Sequence, residues 1–125
     1  MADTVPLVAI VDDEEPVRTA LGRLLRTVGM EPRPFASADA FLAFAAEHRP
    51  SCLVLDLHLP GCSGLQLLRR LQSMGKRFPT VVITGYEETG TRESCLAAGA
   101  YAYLTKPIDE LVLLDAIHAA LEIPQ

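Results

Sequence analysis

The chain has 125 residues, half of them hydrophobic and 22% charged, the size and composition of a single globular domain with a real core. Its 16 acidic and 11 basic residues leave a net charge of −5, and no basic stripe interleaved with aromatics gives nucleic acid a footing on this segment. No apolar run approaches the roughly 20 residues of a membrane span, Met1-Ala2-Asp3 offers no basic leader, and three cysteines without C-x-x-C spacing point to a reducing cytoplasm rather than a disulfide framework or zinc site.

Leu7-Val8-Ala9-Ile10-Val11 is a continuous apolar run of the kind that forms a strand buried on both faces. Four consecutive acids, Asp12-Asp13-Glu14-Glu15, follow it, and Pro16 suits the first turn of a helix. Val17, Leu21, Leu24, Leu25 and Val28 then recur at helical spacing, and Gly29 fits a C-terminal cap. Glu31-Pro32-Arg33-Pro34-Phe35 carries two prolines, which cannot donate to a ladder, so a strand here must lie at a sheet edge. Ser37 can cap a second helix carrying Phe41, Leu42 and Phe44.

Cys52-Leu53-Val54-Leu55 ends in Asp56, and a loop, Leu57-His58-Leu59-Pro60-Gly61, follows. Ser63 and Gln66 have capping-box spacing for a helix with Leu65, Leu68 and Leu71. Thr80-Val81-Val82-Ile83 ends in the hydroxyl of Thr84. Residues 85–98 make the weakest helix, with only Cys95, Leu96 and alanines as apolar contacts, which predicts mobility. Tyr101-Ala102-Tyr103-Leu104 leads to Lys106, and a last helix is predicted over about 108–121, where Leu111-Val112-Leu113-Leu114 is wider than one packed stripe needs.

Apolar runs alternating with helical periods specify an α/β domain: five parallel strands, covered on both faces by five helices, over residues 1–125 with a core at about 5–121. The edge position of the second strand selects the doubly wound, flavodoxin-like order 2-1-3-4-5. Strands one and three are then neighbours, so Asp12, Asp13 and Asp56 meet at the switch point of the sheet, with Thr84 and Lys106 on the same rim. Three carboxylates that close repel one another unless a cation is bound. Magnesium, a hard ion with oxygen ligands and several retained waters, is the natural guest. Asp56 can act both as ligand and as nucleophile toward phosphorus. Magnesium, Lys106 and Thr84 can then each attend to one of the three equatorial oxygens of a transferred phosphoryl group.

Val11-Asp12-Asp13-Glu14, the segment Leu55-Asp56-Leu57-His58-Leu59-Pro60-Gly61, Ser63-Gly64, Thr84-Gly85, and Ala98-Gly99-Ala100 through Lys106-Pro107 together resemble the receiver domain of two-component response regulators. The resemblance spans nearly the whole chain. It implies a phosphoacceptor switch rather than an enzyme, with Asp56 taking a phosphoryl group from a histidine kinase or phosphotransfer protein. It implies Asp13 as direct magnesium ligand, Asp12 acting chiefly through water, and Asp56 and the backbone carbonyl of His58 completing the protein ligands. Thr84 and Lys106 would bind the phosphoryl, and Tyr103 would be the aromatic switch, filling space vacated as the Thr84 hydroxyl is drawn to the phosphoryl. His58 and Tyr86 would flank the site, and the Lys106-Pro107 bond would be cis.

The wording of residues 12–18 and of Ser63-Gly64-Leu65 looks closest to receivers of the nitrogen-fixation regulator type, which commonly precede a LuxR-class helix-turn-helix. No such DNA-binding output domain lies within these residues. Phosphorylation-enhanced homodimerisation, or docking of an output domain, is expected through the last helix and the strand of Tyr103. The rival reading is a haloacid-dehalogenase-type phosphatase, which also uses an aspartyl phosphate and magnesium. That class needs Asp-x-Asp after its first strand, whereas here the two acids are adjacent and the nucleophile follows the third strand.

Overall fold

The computed structural model describes residues 5–122; Met1-Ala2-Asp3, read above for a leader, lies outside the described residues. The elements in chain order are β1 (Leu7–Val11), α1 (Glu15–Thr27), β2 (Glu31–Phe35), α2 (Ala38–Ala45), β3 (Cys52–Asp56), α3 (Gly64–Ser73), β4 (Thr80–Thr84), α4 (Thr91–Ala97), β5 (Ala102–Thr105) and α5 (Glu110–Leu121). All strands pair in parallel, in the order β2-β1-β3-β4-β5. The predicted α/β architecture and strand order are therefore both present.

The strand period of two divides the core into two halves. Ala9, Val11, Leu53, Leu55 and Val82 face α2, α3 and α4, together with Phe41, Leu67 and Cys95. Val8, Ile10, Val54, Val81 and Ile83 face α1 and α5, packing on Leu21, Leu25, Leu113 and Ile117. Phe41 is fully buried, with the rings of Phe35 and Phe78 at 5.5 and 5.9 Å. Truncating such a side chain to alanine costs about 3–5 kcal/mol. At the edge, Glu31 donates its N–H to the Pro6 carbonyl. The alternation of the strand then turns the donor-less nitrogens of Pro32 and Pro34 away from β1, which also blunts this edge against unwanted pairing.

The helix ends follow local chemistry. The Ser37 hydroxyl accepts from the Ala40 N–H, and Ser63 with Gln66 forms the reciprocal capping box, at 3.1 and 2.8 Å. Gly29 adopts a φ of +81°, the left-handed position after α1. Four expectations shift. Val28 caps α1 and is exposed rather than packed, Leu67 is a buried α3 contact the spacing left out, and α5 begins at Glu110 because Asp109 caps it. Residues 85–90 are not helical, so α4 is only 7 residues long.

Candidate functional site

In a parallel sheet every strand delivers its carboxyl end to the same rim, where open α/β folds place their chemistry. Register sets the spacing there. Val11 lies opposite Leu55, Asp56 opposite Ile83, and Thr84 opposite Thr105. Asp12 and Asp56 thus emerge at the same level, with Thr84 one residue and Lys106 two residues beyond it. One carboxylate oxygen from each of Asp12, Asp13 and Asp56 lies within 4.8 Å of the others. Asp12 and Asp56 are buried, while Asp13 faces solvent.

Each buried acid is held by a backbone donor two residues ahead. The Glu14 N–H donates to Asp12 Oδ1 at 2.8 Å, and the His58 N–H donates to Asp56 Oδ1 at 3.0 Å. Arg18 Nη1 donates to the Asp12 carbonyl at 2.8 Å, fixing α1 to the end of β1. Lys106 Nζ reaches across the rim, 3.5 Å from Asp12 Oδ2, 3.6 Å from Asp56 Oδ2 and 3.3 Å from Glu14 Oε1.

One ammonium does not balance these acids. Burial pushes the Asp12 carboxyl above its ordinary range, and the charge of Asp56 adds to this, while the Glu14 N–H and Lys106 work against it. Burial alone would lower the Lys106 ammonium, but Asp56, Asp12 and Glu14 together outweigh it and push its pKa up. The donor set is all carboxylate and keeps an excess of negative charge beside an exposed Asp13. A hard divalent cation fits it.

The remaining predicted residues lie around this cluster. The buried Thr84 hydroxyl donates to the Tyr86 carbonyl at 2.8 Å and accepts from the Tyr86 N–H at 3.1 Å, so it is turned into the loop after β4. Tyr103 is already buried, in the half of the core that faces α4. His58 is exposed, with Nε2 3.0 Å from the Tyr86 carbonyl and its ring centroid 6.0 Å from that of Tyr86. The Lys106-Pro107 bond is cis, and the Lys106 N–H donates to the Thr84 carbonyl at 2.7 Å.

Two residues of the site stood in the motifs but carried no role of their own in the sequence. Glu14 stood in a run of four acids with no individual task, yet it is the nearest carboxylate to Lys106. Gly64 packs so tightly on the end of β3 that a Cβ there would meet the Asp56 carbonyl oxygen. The signal for the second was available: a glycine just inside a capped helix start, where propensity disfavours it, marks a close approach.

Over residues 8–118 the chain matches the family model of the response regulator receiver domain. It is 42% identical over 115 residues to the transcriptional regulatory protein FixJ of Rhizobium meliloti (strain 1021), covering 92% of this chain and 56% of that protein. To the response regulator protein TodT of Pseudomonas putida it is 36% identical over 123 residues, covering 98% of this chain and 54% of that one. The crystal structure of FixJ-N superposes on it with a TM-score of 0.89 at 39% identity, covering 98% of each chain. The chain spans about half the length of the curated relatives it matches.

Proposed function

The chain belongs to the receiver-domain family of two-component response regulators, and from that premise we propose that its signalling switch is thrown by phosphorylation of Asp56. The observation that carries this reading is Lys106 Nζ, poised between Asp12 Oδ2 and Asp56 Oδ2 at 3.5 and 3.6 Å. Of the three acids, Asp12 is sealed from solvent and Asp13 stands out on the loop. Asp56, on the central strand, keeps one oxygen on a backbone donor and the other toward the lysine.

An Asp56 oxygen attacks the phosphorus of a phosphohistidine on a kinase or phosphotransfer protein. The new P–O bond forms as the P–N bond breaks, and the electron pair returns to the imidazole nitrogen. Lys106 follows the charge from the carboxylate onto a phosphoryl oxygen. Thr84 exchanges its bond to the Tyr86 carbonyl for one to a second oxygen, which removes one of the contacts of that carbonyl and loosens the loop after β4. Asp12, Asp13, Asp56 and the His58 carbonyl are the groups that would hold magnesium, which when bound neutralises the third oxygen. His58 and Tyr86, linked to each other beside Asp56, flank the acyl phosphate and would tune its loss.

The partners follow from the same reading. A histidine kinase supplies the phosphoryl, and a DNA-binding output domain receives the signal in a longer protein, as the name of the transcriptional regulatory relative suggests. Leu111, 73% exposed, and Val112 lie on α5 as a face for self-association or output docking. No described helix is long and apolar enough to cross a membrane, and the three free thiols suit the cytoplasm. The haloacid-dehalogenase reading has no support from the family match, and its Asp-x-Asp is missing.

Incubation with acetyl phosphate and magnesium should add one phosphoryl group by intact mass, and Asp56→Asn should remove it. An adduct that persists in that variant on another residue overturns the assignment.

A further inference from the structure

Arg92 stands on the first turn of α4, beside the strand that carries Tyr103. Its guanidinium carbon lies 5.0 Å from the centroid of the Tyr103 ring, within cation–π range. Its Nη2 also donates to the Tyr103 carbonyl at 3.4 Å. Glu87, Glu88 and Glu93 share this segment, yet Arg92 forms no ion pair with any of them among the described residues. The guanidinium is engaged with one residue, through both its ring and its backbone.

Tyr103 needs such a partner. The residue is 3% exposed, and its hydroxyl is buried with no hydrogen-bond partner among the described residues. An unpaired buried hydroxyl opposes burial, so the polar end of the side chain does not hold it inside. Apolar contact with the α4 half of the core and the cation over its face remain to do so. Burial and the nearby Glu87 also push the phenol pKa up, which keeps the ring neutral beneath that cation.

We propose that Arg92 is a positioning residue that holds Tyr103 in its buried rotamer and thereby sets how far the switch is biased before Asp56 is phosphorylated. This rests on the reading of Tyr103 as the switch aromatic. Because α4 is short and Arg92 is its grip on the ring, the position of α4 and the rotamer of Tyr103 are coupled. Linkage makes the coupling reciprocal: a variant that frees the ring must weaken any ligand that favours the buried form.

The chain has three tyrosines and no tryptophan, so 3-fluorotyrosine labelling yields three resonances, assignable with Tyr86→Phe and Tyr101→Phe. Arg92→Ala should move the Tyr103 signal toward solvent accessibility, read with a soluble paramagnetic additive. It should also weaken binding of beryllofluoride with magnesium by roughly two- to fivefold, the size of an exposed cation–π contact. Arg92→Lys, which keeps a cation, should restore part of both effects. Arg92→Met, which keeps apolar cover alone, should behave like alanine, and this pair decides the matter if the alanine variant does not fold. A Tyr103 signal that stays shielded in Arg92→Met overturns the proposal, as does a freed ring with unchanged beryllofluoride affinity. Failure of the phosphorylation reading would show separately, as beryllofluoride binding that survives Asp56→Asn.

Discussion

Gly64 offers a test of how the site is built. It is the first residue of α3, and its N–H donates to the Leu57 carbonyl at 2.8 Å. A Cβ at this position would stand 2.7 Å from the Asp56 carbonyl oxygen and 2.8 Å from Leu57 Cα, well inside the 3.4 Å at which ordinary contact begins. Both are backbone atoms at the end of a central strand, so no side chain can swing away. Overpacking of this kind costs about 1–3 kcal/mol, and the gain in helix propensity from glycine to alanine is at most about 1 kcal/mol. Gly64→Ala should therefore lose stability by about 1–2 kcal/mol on balance, a fall in melting temperature of roughly 3–10 °C for a domain of this size. Gly22→Ala is the control. It lies inside α1, and its Cβ would find its nearest neighbours, the Arg26 guanidinium and Pro32, at 3.8 Å. That substitution should stabilise by roughly 0.5–1 kcal/mol. Because the strained contact bears on Asp56 itself, Gly64→Ala should also slow phosphorylation by acetyl phosphate by on the order of tenfold, as small misplacements of a nucleophile do. Thermal melts and intact-mass time courses of both variants read the two effects. If Gly64→Ala melts at or above the parent and accepts phosphoryl at the parent's rate, the close packing of α3 on β3 plays no part in placing Asp56.

Magnesium should raise the melting temperature by binding the folded form, and Asp13→Ala should lose most of that rise; an unchanged response would place the ion elsewhere. Asp12→Asn should raise stability at pH 7 without magnesium, since burial and Asp56 make the charged form unfavourable in the fold. The gain should fade as pH falls through the raised pKa and vanish well below 3.8, where the acid is neutral in folded and unfolded chains alike, and a gain equal at every pH would refute this cause. Beryllofluoride should promote self-association, seen by light scattering, and Leu111→Glu should abolish it. A parent chain that stays monomeric in both states at high concentration leaves α5 only output docking.

The strands were legible because burial on both faces demands uninterrupted apolar runs, and the edge was legible because proline nitrogens cannot donate. Asp12, Asp56, Thr84 and Lys106 could be placed on one rim for the same reason: each follows a readable strand. Pairings that depend on how far helices lean over the sheet were not legible. Nothing in a run of four acids says that Glu14, rather than Asp13 or Glu15, approaches Lys106 to 3.3 Å. Nothing in the spacing of Arg92 and Tyr103 says that a guanidinium crosses from helix to strand. The start of α4 was lost in a stretch that the structure gives to a loop, closed by Gly90 at a φ of +85°.

The part of the chain hardest to read is also the part best suited to move, and one physical cause explains both. Periodicity is visible where a helix buries a broad stripe, as α1 does with Leu21 and Leu25 and α5 with Leu113 and Ile117. Within α4 only Cys95 is buried, and Leu96 stands 44% exposed. A helix with so little apolar area in the core leaves little pattern in the sequence and has little holding it in place. In the proposed switch, a phosphoryl group on Asp56 that takes the Thr84 hydroxyl from the Tyr86 carbonyl would pull on the loop leading straight into this element. The displacement meets firm packing toward β1 and α1, and weak packing toward α4. In the proposed switch, differences in burial would direct a signal at the rim to the α4 and β5 side of the sheet, where Arg92 stands.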